Sequence, residues 1–384
     1  MDNFTFHNPV RVIFGEGQIK AIAAEIPASA KVLITYGGGS VFKNGVMDQV
    51  DAALAGRTVT KFGGIEPNPT YETLMKAVAL IREQGIDYLL AVGGGSVLDG
   101  TKFIAAAVPF KGEPWDILSK GAAVESALPI GAVLTLPATG SESNTAAVIS
   151  RSETGDKLAF LSPQVFPRFA VLDPLTTYSL PPRQVGNGVV DAFVHVMEQY
   201  MTFPADAKIQ DRFAEGILLT LIEEGPRALA EPQNYAVRAN VMWAATMALN
   251  GLIGVGVPQD WSTHAIGHEI TARHGLDHAQ TLAIVLPAML RVRREGKHAK
   301  LLQYAERVWG LRDGSEDARI DGAIEKTRAF FESMQVKTRF ADYGIADPAF
   351  ETMLAKLVEH GGAKLGERGD VTPELSRKVL ELAR

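Results

Sequence analysis

The chain has 384 residues, of which 46% are hydrophobic, so it is long enough for two or three domains with buried cores. Its net charge of −6 speaks against nucleic acid as a partner, because such proteins gather Lys and Arg into a basic face, and the densest basic run here is only Arg291-Val-Arg293-Arg294. There is no cysteine, which excludes disulfides and thiolate metal sites and leaves nitrogen and oxygen as the only strong metal ligands.

From the N-terminus, Met1 to Pro9 lacks a basic stretch leading into an apolar one, so no signal peptide is expected. Apolar runs such as Ala283 to Leu290 fall short of the roughly 20 residues of a membrane span, and a cytoplasmic protein without a membrane partner is the expectation. Lys31 to Tyr36 reads as a buried strand, stopped by Gly37-Gly38-Gly39, and Val41 to Leu54 carries apolar residues at helical spacing. The cycle repeats with a helix over Tyr71 to Glu83, a strand over Tyr88 to Val92, a turn at Gly93 to Ser96 and a helix over Val97 to Ala107. Pro129 to Leu136 and Phe169 to Leu172 supply further strands. Strand, glycine turn and helix in alternation is the pattern of a parallel sheet with helices on its faces.

After Leu180-Pro181-Pro182 the texture changes, and β-branched runs give way to 3.6-residue periodicity over Asp206 to Glu224, Val237 to Leu252 and Ala323 to Met334. The expected organisation is therefore an α/β N-terminal dinucleotide-binding domain with a parallel sheet over 1–180, and an all-α C-terminal domain over 181–384.

Two Gly-Gly-Gly-Ser turns, Gly37 to Ser40 and Gly93 to Ser96, follow strands and open helices. Glycines let backbone approach a pyrophosphate, and the N–H groups and positive end of a helix favour an anion, although a tight turn also needs glycine for geometry alone. Neither turn has the G-x-G-x-x-G spacing. No acidic residue ends the first of these strands, where a carboxylate would grip a ribose 2′-hydroxyl, and this leaves room for a 2′-phosphate: NADP(H) is expected over NAD(H). Ser40 and Lys43 are plausible phosphate partners. Thr139-Gly140-Ser141-Glu142-Ser143-Asn144 packs hydroxyl and amide groups into a turn after another strand, as a cofactor loop would, or as helix-capping residues would.

Asp191 and His195 lie one helical turn apart, so a carboxylate oxygen and an imidazole nitrogen share a face. Four of the 8 histidines follow in His264, His268, His274 and His278. Spacing does not say which of these join the first pair. His268-Glu269 would open an H-E-x-x-H protease motif, but Ala272 stands where the second histidine belongs. An aspartate with neutral imidazoles suits Zn²⁺ or Fe²⁺ acting as a Lewis acid on a carbonyl.

Together, Gly93-Gly-Gly-Ser-Val-Leu-Asp99, Pro137-Ala-Thr-Gly-Ser-Glu142 and the Asp191, His195, His264, His278 set resemble the iron-containing (group III metal-dependent) alcohol dehydrogenase family, end to end. The resemblance implies the dehydroquinate synthase-like architecture and NADPH-dependent reduction of short and medium aldehydes, reactive ones included, to primary alcohols. It also implies a homodimer and one divalent ion, zinc or iron, on Asp191, His195, His264 and His278. His268 would relay a proton or position substrate, and His274 would be structural. On the cofactor side it implies Gly38, Gly39 and Ser40 near the 2′-phosphate with Asn68 nearby; Gly94, Gly95, Ser96 and Asp99 at the pyrophosphate; and Thr135, Thr139, Ser141, Asn144 and Lys157 on the rest. NAD-preferring members of the family carry an aspartate where this chain has Gly37. Glycerol-dehydrogenase and dehydroquinate-synthase type reactions are the alternatives on the same architecture. Which of Trp243, Trp261 and Phe160 face the site would set the pocket's size, and each could equally be core.

Overall fold

A computed structural model describes Met1–Arg384. The chain divides into two compact units: His7–Leu180 with Gln233–Met242, and Met1–Phe6 with Pro181–Pro232 and Trp243–Arg384.

The first unit is built on a six-stranded, wholly parallel sheet. Its strands are β1 (Arg11–Phe14), β2 (Lys31–Thr35), β3 (Thr58–Phe62), β4 (Tyr88–Gly94), β5 (Ile130–Leu136) and β8 (Phe169–Leu172), in the order β1-β8-β5-β4-β2-β3. A two-stranded antiparallel ribbon, β6 (Ala146–Arg151) and β7 (Asp156–Leu161), lies outside it. Side chains alternate between two cores, as a period of two requires. Leu33, Leu89, Ala91, Ala132, Leu134 and Leu172 pack with the helix Tyr71–Gln84 and with α1 (Gly95–Ala107). Val32, Ile34, Leu90, Val92, Val133 and Val171 pack on the other face with Ile19, Ile22, Met47 and Val50. Both faces being covered is why these strands read as continuous apolar runs.

Strands β1 and β3 and the ribbon escaped the sequence reading. Thr58–Phe62 and Arg11–Phe14 are short edge strands, half-buried or exposed along their length, so they lack the apolar run that marked the central four. The expected helix over Val41 to Leu54 is two pieces, Ser40–Lys43 and Val46–Ala53, separated at Gly45, whose φ of 76° is left-handed.

The second unit is helical. Its longest helix, Lys208–Ala230, runs through Pro226 and past the expected end at Glu224, because Glu224, Gly225 and Ala228 around the proline are buried. Helices α2 (Pro182–Tyr200), α3 (Ser262–His274) and α4 (His278–Val292) carry the candidate metal residues. Ile266 and Ile270 of α3 and Ile284, Val285 and Met289 of α4 share a core with Phe350, Met353, Val379 and Leu380. No helix is long and apolar enough to cross a membrane.

Candidate metal centre and nucleotide edge

Asp191 and His195 project from one face of α2, as their spacing demands. Helix α3 ends at Gly275, left-handed at φ 68°, and α4 starts three residues later behind Asp277, whose side chain forms a reciprocal capping box with Gln280. This tight reversal turns His278 back toward α3. Asp277 also accepts from Asn187 Nδ2 at 2.7 Å and Arg183 Nε at 2.8 Å, which ties the start of α4 to the turn of α2 just before Asp191. At the other end of α2, Glu198 accepts from the Thr263 amide at 2.6 Å and pairs with His264 Nδ1, tying in the start of α3.

Three helices pinned in this way bring one ligand atom each of Asp191, His195, His264 and His278 within 4.8 Å of one another. Asp191 Oδ1 stands 3.8 Å from His195 Nε2 and 3.7 Å from His278 Nε2. Asp191, His195 and His264 are 3%, 4% and 8% exposed. His264 Nε2 is buried without a hydrogen-bond partner. A buried acceptor nitrogen so placed is costly unless something else binds it, and its lone pair is the donor a cation needs. Burial, with His264 alongside, holds the His195 imidazole well below its usual pKa, in the neutral form that ligates metal. Burial pushes the Glu198 carboxyl up, against the opposing pull of His264 and the Thr263 amide. An oxygen and three imidazole nitrogens at this separation fit a single divalent ion such as zinc or iron.

His268 lies beside the cluster, its ring 5.3 Å from that of His278 and 6.3 Å from that of His264. His274 is elsewhere, its Nε2 3.0 Å from the Pro348 carbonyl oxygen. Of the three aromatics, Phe160 is buried against Phe103, Trp243 is 43% exposed, and Trp261 stands next to the cluster, its ring 5.3 Å from His264 and 6.3 Å from His195.

The expected nucleotide residues gather at one edge of the sheet. Gly38, Gly39 and Ser40 follow β2, and Thr135 and Thr139 lie at the end of β5; at the expected Gly93 to Ser96 turn, β4 instead runs through Gly94 directly into α1 at Gly95. In the observed strand order β3 lies to one side of β2 while β4 and β5 lie to the other, so the order in which strands are added reverses between β2 and β4. The crevice outside the carboxyl ends at such a reversal is where open parallel sheets bind ligands, and both Gly-Gly-Gly-Ser segments flank it.

Side-chain bonds link these residues. Asn68, at a left-handed φ of 57°, donates its backbone N–H to Ser96 Oγ at 3.3 Å and accepts on Oδ1 from Lys157 Nζ at 2.8 Å. Asn144 Nδ2 donates to the Thr139 carbonyl at 3.2 Å. Asp99 is turned inward, accepting from Ser141 Oγ at 2.6 Å and from the Val148 amide at 3.0 Å. Gly95 is needed for clearance, since a Cβ there would stand 2.5 Å from Thr139 Cγ2.

Two residues of this architecture escaped the sequence reading. Glu198 lies seven residues after Asp191 and three after His195, on the same helical face, and that spacing was the available signal. Lys102 sits in the apolar helix α1 and is 0% exposed, with Nζ donating to Asn144 Oδ1 at 2.9 Å and to the Ala146 carbonyl at 2.8 Å. Only its position three residues after Asp99 hinted at a role.

Comparison with known proteins agrees with this geometry. Residues 9–174 match the family described as iron-containing alcohol dehydrogenase, and residues 186–366 match its C-terminal domain. The chain is 65% identical over 387 residues to the NADPH-dependent aldehyde reductase YqhD of Escherichia coli, covering 100% of both. It is 41% identical to a probable NADH-dependent butanol dehydrogenase 1 of Bacillus subtilis, covering 94% of this chain and 95% of that one. Among solved structures it superposes on E. coli YqhD with a TM-score of 0.99, and on NADH-dependent butanol dehydrogenase A of Thermotoga maritima with a TM-score of 0.95 at 34% identity; each covers 100% of this chain and 99% of the other. The protein belongs to the iron-containing alcohol dehydrogenase family.

Proposed function

We propose that the protein reduces short and medium-chain aldehydes to primary alcohols with NADPH, using one divalent ion, and that it works reversibly as an alcohol dehydrogenase. The observation that carries this reading is the convergence of Asp191, His195, His264 and His278 within 4.8 Å, in a chain 65% identical to an aldehyde reductase over its full length. In this reading 1–180 is the dinucleotide-binding domain and 181–384 the metal-binding, catalytic domain. The protein works in the cytoplasm as a homodimer, and both zinc and iron suit the donor set.

Asp191, His195, His264 and His278 would hold the ion, and Glu198 keeps His264 in the tautomer whose Nε2 faces it. When bound, the ion polarises the substrate carbonyl, a Lewis-acid contribution of several kcal/mol, while NADPH supplies the hydride. Gly38, Gly39 and Ser40 receive the 2′-phosphate, and Gly37, which lacks a carboxylate, spares it charge repulsion. Gly94, Gly95 and Ser96 receive the pyrophosphate; Asn68, Lys157, Thr135, Thr139, Ser141 and Asn144 complete the cradle, with Asp99 holding Ser141 in place. His268 delivers, directly or through water, the proton that the alcohol oxygen gains.

Loss of NADPH absorbance on adding a short aldehyde to metal-loaded protein, with one NADPH consumed per alcohol formed, tests the reading. Turnover that returns the nicotinamide unchanged, as a dehydroquinate synthase does, would overturn it. His268→Ala should lower turnover on the same aldehyde while metal content stays at the wild-type level; loss of the metal instead would make His268 a ligand.

A further inference from the structure

We infer that Trp261 is the wall that limits which aldehydes reach the candidate metal centre, an inference that rests on the aldehyde-reductase reading above. Asp191, His195 and His264 are buried, whereas His278, His268 and Trp261 are half-buried. A substrate approaching the cluster from solvent therefore meets these three side chains first. Two of them are imidazoles, and Trp261 is the one large apolar surface among them, with its ring 5.3 Å from His264 and 6.3 Å from His195.

The indole is held in place. Trp261 Nε1 donates to Gln259 Oε1 at 3.0 Å, and Gln259 Nε2 in turn donates to the Gly254 carbonyl at 3.0 Å. Glycine at position 254 leaves room for both glutamine ends, since a Cβ there would stand 2.6 Å from Gln259 Nε2 and 2.8 Å from Gln199 Oε1. Gln199 is anchored as well, donating to the carbonyls of His195 at 2.7 Å and Ala248 at 2.8 Å. The backbone next to the indole is tied to the stretch of α2 that presents His195, the Asp260 amide donating to the Glu198 carbonyl at 2.8 Å. A tryptophan held at its only polar atom has fewer conformations open to it than a leucine or methionine, so its bulk sets a steric limit. Its bulk beside the ligands leaves less room for an aromatic aldehyde than for a short unbranched one.

Trp261→Ala should raise kcat/KM for benzaldehyde relative to propanal by about tenfold or more, the scale on which a hydrophobic pocket discriminates by size. Trp261→Phe should keep the wild-type preference, and Gln259→Met, which frees the indole without removing it, should shift the ratio in the same direction as Trp261→Ala by a smaller factor. Metal content measured on each variant should match the wild type. An unchanged ratio in a folded, metal-loaded Trp261→Ala protein would overturn the inference, as would loss of the metal in that variant, which would make the indole a cover for the ligands. Should the alanine variant fail to fold, a Gln259→Met protein with the wild-type ratio would overturn it equally. Wild-type protein that consumes NADPH with neither aldehyde would instead sink the functional reading, which keeps the two failures apart.

Discussion

Glu198 takes the Thr263 amide on one carboxylate oxygen and His264 Nδ1 on the other, so a single side chain both starts helix α3 and fixes a histidine tautomer. Carboxylates that orient a ligating histidine are worth about 10–100-fold in metal affinity. Glu198→Ala should weaken zinc binding by that factor in a chelator competition, while Glu198→Gln, which keeps an acceptor for Nδ1–H, should lose less; equal affinities in all three proteins would remove Glu198 from the account. Lys102 makes a different kind of prediction. Burial lowers its ammonium from 10.5 to about 8, opposed by Asp99 and Glu142. Between those two pH values the unfolded chain holds a proton that the folded chain has released, so this site's contribution to stability grows as pH rises, is fully present above 10.5, and is lost as pH falls through about 8. The urea midpoint of the wild type should therefore gain on that of Lys102→Met between pH 8 and pH 10; a constant difference would mean that the lysine does not titrate there.

Helix α2 depends on a close approach at its first turns. An added Cβ at Gly186 would stand 2.1 Å from the Met334 carbonyl oxygen, a backbone atom that cannot rotate away. Gly186→Ala should therefore destabilise the protein by about 1–3 kcal/mol in urea unfolding, as overpacking of a tight site does. Because the same helix presents Asp191 and His195 five and nine residues later, the variant should also bind metal more weakly; wild-type stability would show that the helices separate freely at this point. Elements were legible where they are uniformly buried or where turn and capping signals bound them. The strand expected over Phe169 to Leu172 matches β8, and the helix expected over Tyr71 to Glu83 differs from Tyr71–Gln84 by one residue, because each is bounded by strong turn or capping signals. The edge strands and the β6–β7 ribbon carry mixed polar and apolar residues, and no periodicity separates such segments from loop.

At the scale of the whole molecule, the candidate metal centre draws on three helices of one unit, so an ion bound there links segments almost 90 residues apart in sequence, from Asp191 to His278. Binding to the folded state alone should then show as stability. At a free metal concentration about 100 times its dissociation constant the gain is about 2.7 kcal/mol. Chelator treatment should lower the thermal midpoint, and zinc or iron should restore it; no change on metal removal would mean that nothing binds the four side chains together in the folded protein.

Some of this was readable along the chain because it rests on local periodicity and on chemistry forced by residue type. A parallel sheet with helices, a change to helical texture after Pro182, and Asp191 and His195 on one face all follow from spacing, and an N/O donor set follows from the absence of cysteine. Spacing left four histidines open as partners. The resemblance named His264 and His278, and it is the fold that gathers those two beside Asp191 and His195 while setting His274 against Pro348. Periodicity reports the face on which a side chain lies but not the partner that face meets. Glu198 reaching Thr263, Asp277 reaching Asn187, Lys102 reaching Asn144 and Trp261 settling against His264 each join residues on different segments, and only the packed chain decides those meetings.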